Sequence, residues 1–122
     1  MKTLLQWGDF SVRVSKDRVY FGNRGLPLKG SRVFVVFWRG KALAVGVVYE
    51  GAEPQVLSLY GFGREVAGPV KILVLERLLN IAREFVRDYG SAYFEFERLV
   101  RGIGGAGFVV FPESGRVLRI LP

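Results

Sequence analysis

The segment that most constrains the fold is "GPVKILVLERLLNIAREFVRDYG", residues 68–90. Pro69 suits the first helical position and Gly90 a C-terminal cap, and nothing between them breaks a helical period. Val74, Leu75, Leu78, Ile81, Ala82, Phe85, Val86 and Tyr89 form one broad apolar face. Glu76, Arg77, Asn80, Arg83, Glu84, Arg87 and Asp88 form the other. An apolar face this wide requires a sheet beneath it. The polar face mixes both signs, as expected of a solvated, salt-bridged surface and not of a basic recognition helix.

β-rich runs precede this helix at roughly 3–7, 10–15, 18–21, 32–38, 42–50 and 55–60. Gly8-Asp9, Lys16-Asp17, Gly40 and "EGAEP" (50–54) supply turn chemistry between them, so neighbouring runs are expected to pair as antiparallel hairpins. "GNRGLPLKGS" (22–31), rich in glycine, is expected to be an exposed, mobile loop. After the helix, 91–100, 107–111 and 116–121 are read as strands, the last two joined by a turn at "PESG". The expected architecture is a single α+β domain spanning 1–122. In it, a largely antiparallel, curled sheet of seven to eight strands packs on one long helix at about 69–89. Whether the strands before and after the helix share one sheet is left open.

"RGIGGAGF" (101–108) places Gly102, Gly104 and Gly107 in the spacing of a dinucleotide-binding fingerprint. That motif needs a strand running in and a helix running out, because the helix N-terminus holds the pyrophosphate. Here no helical period follows, and the chain after Gly107 is too short for a βαβ unit. These glycines are read as a bend or bulge between strands, and no cofactor is expected.

The chain has neither cysteine nor histidine. Disulfides, thiolate metal sites, imidazole bases and the usual zinc and haem chemistries therefore have no residues to use. The N-terminal apolar run is too short for a signal peptide and no stretch approaches a membrane span, so a cytoplasmic protein is expected. Arginine outnumbers lysine 13 to 5 and amide side chains are few, a balance that leans towards a thermophile.

The formal net charge is +7, and residues 1–41 carry all of it, with nine basic side chains against Asp9 and Asp17. In "FSVRVSKDRVYF", alternation sets Phe10, Val12 and Val14 against Ser11, Arg13 and Ser15, and then Arg18 and Tyr20 against Val19 and Phe21. "RVFVVFW" (32–38) is apolar on both sides, with Arg32 and Arg39 bracketing it and Phe34 and Trp38 sharing a face. Were these strands neighbours, cations and rings would line one surface suited to a single-stranded nucleic acid, phosphates on arginines and bases on rings. The candidate contacts are Arg13, Lys16, Arg18, Tyr20, Arg24, Lys29, Arg32, Trp38, Arg39 and Lys41. Phe34 and Trp38, taken singly, suit a core better.

The glycine-rich entry to the helix, with Gly63, Arg64 and Lys71, is a second candidate, for a phosphate near a helix N-terminus. It lacks the ending of a P-loop, and a plain turn and cap explains it better. Glu95 and Glu97, two apart on an expected strand, would project from one face beside Tyr93, while Phe94 and Phe96 enter the core. Arg98 and Arg101 stand ready to neutralise them, so no metal site is expected. The sequence thus points to a non-catalytic nucleic-acid-binding domain, single-stranded DNA or RNA favoured, with no membrane partner. The alternative is a structural or homo-oligomeric assembly protein, cellular or viral, that pairs exposed β edges. A metal-dependent hydrolase is third.

Overall fold

The computed structural model describes residues 1–59 and 64–122, with no side-chain description for 64–67. The described residues form nine strands and two helices in three layers. An outer four-stranded meander comprises β1 (Lys2–Trp7), β2 (Phe10–Ser15), β3 (Arg18–Phe21) and β4 (Arg24–Pro27). A central antiparallel sheet comprises β5 (Arg32–Trp38), β6 (Lys41–Val48), β7 (Gln55–Ser58), β8 (Ala106–Phe111) and β9 (Arg116–Ile120) in the order β7-β6-β5-β8-β9. Helices α1 (Arg64–Arg87) and α2 (Tyr89–Gly102) form the third layer.

The central sheet is buried on both faces, which is why "RVFVVFW" has no polar side. Val33, Val35, Phe37, Val45, Val47, Phe108 and Val110 pack against Leu5, Val12, Val19 and Phe21 of the outer sheet. Phe34, Val36, Val109 and Ile120 pack instead against Val74, Leu78, Ile81, Phe85, Phe96 and Leu99 of the helices. Leu78 reaches the central sheet at Gly46, where a β-carbon would meet its Cγ at 3.2 Å. Where a curled sheet of seven to eight strands is expected, with one sheet or two left open, the nine described strands form two sheets, and β5 from before the helices pairs with β8 from after them. Residues 91–100, expected to be a strand, and 22–31, expected to be a loop, also differ from expectation.

Residues 91–100 are helical. Asp88 adopts an extended conformation and its carboxylate accepts from the Ser91 amide at 3.3 Å, so the expected single helix ends there and α2 begins. Gly90 accordingly lies in the first turn of α2, not at a C-cap, and Pro69 lies inside α1. Ala92, Phe96, Leu99 and Val100 supply the buried helical stripe, whereas Phe94, read as core by alternation, is 57% exposed. Replacing Asp88 with alanine is expected to lower stability by about 1 kcal/mol, read as a shifted urea midpoint with an unchanged slope. An unchanged midpoint would show that the cap contributes nothing.

Within 22–31, the expected loop, residues 24–27 form β4: Leu26 pairs with Val19 and packs inward. The glycine run lies between a helix and a strand, the reverse of a dinucleotide fold and not the strand-to-strand bend expected. α2 ends at Gly102, Gly104 turns the chain at φ +68°, and Gly107 is already on β8.

Candidate nucleic-acid interface

The strand alternation read for 10–21 places the side chains as expected. On the outer meander, Arg13 pairs across strands with Tyr20 and with Thr3, Ser15 with Arg18, and Gln6 with Ser11. Their partners in the alternation, Val12, Val19 and Phe21, are buried against the central sheet. The solvent face of the meander is thus Thr3, Gln6, Ser11, Arg13, Ser15, Arg18 and Tyr20, without a carboxylate. Asp9 and Asp17 lie in the two turns, and Lys16 sits beside Asp17 at φ +49°.

β4 completes this face in a way the loop reading missed. Gly25 pairs with Tyr20, and a β-carbon there would come within 2.7 Å of Tyr20 Cε1 and 3.2 Å of Arg18 Nε. The missing side chain lets the ring and guanidinium lie over the β4 backbone, where Arg18 Nη2 donates to the Gly25 carbonyl at 2.7 Å. Arg18 is therefore held beside Tyr20 while remaining exposed. Arg13 Nε is shielded from solvent and has no hydrogen-bond partner. The signal in the sequence was "RGLPL", an alternating fragment hidden by its glycine and proline.

The other candidates are dispersed. Arg24 is exposed where β4 begins but pairs with Phe21 and so has the core-facing parity, and Lys29 pairs with Glu50 at 3.7 Å. Arg32 shares the helix-facing parity of Phe34 on β5, and β5 is not a neighbour of β2 or β3. The same region holds Tyr89, whose hydroxyl is pushed above its ordinary pKa by burial, against the opposing pull of Arg116 and Arg32. Trp38 is 9% exposed in the helix-side core, and its indole N–H donates to the Ile103 carbonyl at 3.1 Å. Arg39 lies over that ring at 4.5 Å, in a two-residue turn with Gly40 in which both φ angles are positive, and exposed Lys41 follows. Trp38 and Arg32 are thus not on the surface that carries Arg13 and Tyr20, because two stacked layers separate parities that the sequence could not assign to a common sheet.

Of the phosphate-loop candidates, Gly63 lies outside the described residues and Arg64 opens α1 with its side chain undescribed. Lys71 Nζ donates to the Leu59 carbonyl at 3.1 Å. Glu95 and Glu97 diverge on a helix instead of sharing a strand face. Glu95 meets Arg98 at 3.4 Å and Arg77 at 3.9 Å, and Glu97 meets Arg101 at 3.6 Å. The cleft of about 400 Å³ between α1 and α2, lined by Arg77, Asn80, Glu84, Ser91 and Glu95, accordingly carries two carboxylates against one guanidinium.

Among the described residues, no group of three or more carboxylate, imidazole or thiol side chains is placed to hold a metal ion, and no helix is long and apolar enough to cross a membrane. No protein-family model, curated protein or solved structure matches the chain.

Proposed function

We propose that the chain is a non-catalytic nucleic-acid-binding domain that takes a single strand of DNA or RNA across the solvent face of the β1–β4 meander. The observation that carries the reading is the Arg13–Tyr20 cross-strand pair beside the Ser15–Arg18 pair, on a face with no acid. Cations can follow phosphates there while the ring offers a stacking surface, and Ser, Thr and Gln offer hydrogen bonds to bases and sugar. Lys16, in the turn between β2 and β3, extends the positive field at one end of the meander. A single strand suits this face better than a duplex, since among the described residues no helix presents a basic surface to a groove.

Binding of a labelled oligonucleotide, measured over a range of salt concentrations, tests the proposal. If Arg13, Lys16 and Arg18 reach phosphates, log affinity should fall with log salt with a slope of about −2. Arg13→Ala should flatten that slope by about 0.7, whereas Tyr20→Ala should cost about 1 to 3 kcal/mol and leave it unchanged. Arg32→Ala, on the helix side, should change neither. Absence of binding at low salt, or equal sensitivity to Arg13 and Arg32, would sink the reading.

A further inference from the structure

Ile72, Leu79 and Val86 recur at intervals of seven along α1, so they form one row along the helix, drifting by only about 20° per repeat. Ile72 is 60% exposed and Val86 63%, with Leu79 half-buried between them. The row lies on the flank of α1 away from α2, because the flank towards α2 carries Arg77, Asn80 and Glu84. Glu76 and Arg83, also seven apart, border the row on its solvent side, both exposed and neither with an ion-pair partner among the described residues.

We infer that this chain forms a two-fold dimer in which α1 packs antiparallel against α1 of a second copy. The charges select the occupant and the direction. When the helices cross antiparallel near Leu79, Ile72 meets Val86 of the other copy, and Glu76 comes opposite Arg83 twice, once on each side of the axis. A parallel pair would set the two copies' Glu76 and Arg83 on opposite sides of the interface, where they could not pair. One helix thus carries both halves of its own complement, as an isologous interface requires. The row is short compared with the roughly 800 Å² per partner of a standard interface, so the dimer is weak and depends on concentration. Because α1 and the meander are opposite outer layers, the inference does not rest on the nucleic-acid reading, and dimerisation leaves both meander faces open.

Sedimentation equilibrium of the full chain over a wide concentration range tests this. The wild type should associate to a dimer. Glu76→Arg and Arg83→Glu alone each turn two attractive contacts into two repulsive ones and should weaken association by about tenfold. An equimolar mixture of the two variants restores both pairs and should recover dimer at near wild-type strength. Both positions are exposed on a helix, so the variants should keep the wild-type circular dichroism and melting temperature. A wild type that stays monomeric to millimolar concentration, single variants that assemble like the wild type, or a mixture that stays monomeric would each overturn the inference.

Discussion

Gly105→Ala is expected to destabilise the protein by at least about 3 kcal/mol, more than overpacking usually costs, because the added methyl would overlap the backbone carbonyl oxygen of Phe37. That oxygen belongs to β5, the middle strand of the central sheet, held by β6 on one side and β8 on the other. It cannot retreat as the end of a flexible side chain could. Gly105 is itself tied back to the end of α2 by its amide, which donates to the Val100 carbonyl at 3.0 Å. Gly104 provides the comparison: its φ is +68° but its β-carbon position is open, so alanine there should cost only about 1 to 2 kcal/mol of left-handed strain. Urea unfolding of the two variants measures both. Equal losses would show that conformation, and not close approach, explains the run.

The second large effect is at Phe34. Its ring is fully buried, 4.0 Å from the ring centre of Phe85 and 6.0 Å from that of Phe96, so it joins the central sheet to both helices. Phe34→Ala should cost about 3 to 5 kcal/mol, from lost burial plus the cavity left where sheet and helices cannot close together. Phe94→Ala, at an exposed position of the same residue type, should stay within about 0.5 kcal/mol. Comparable losses at Phe34 and Phe94 would contradict the helical assignment of 91–100, since a strand there would bury Phe94 with Phe96.

Much of the candidate face was legible locally. Alternation along 10–21 places Arg13, Arg18 and Tyr20 on one side and Val12, Val19 and Phe21 on the other, and the register agrees. What was not legible is which other residues join that face. Gly25 beneath Tyr20 depends on a strand too short and too glycine- and proline-rich to announce itself, and Arg32 was assigned to a shared surface only on the condition that its strand lay beside β3. Strand parity is a property of a few consecutive residues, whereas strand neighbours are chosen by burial over the whole chain.

The same division runs through the molecule. From sequence alone came the β-rich first half, the hairpin turns at Gly8 and Gly40, the helix through 70–87, the two-sided apolar character of 32–38 and the absence of cysteine and histidine chemistry. Tertiary structure decided the separation into two sheets, the burial of Trp38 and the helical state of 91–100. In that last segment "YFEFER" satisfies a period of two, while Ala92, Phe96, Leu99 and Val100 satisfy a helical one. Short segments that fit both periods have no local free-energy difference large enough to choose. The choice went to the conformation that buries Phe96 and Val100 on the helix-facing side of the central sheet, where Gly107 leaves room for both.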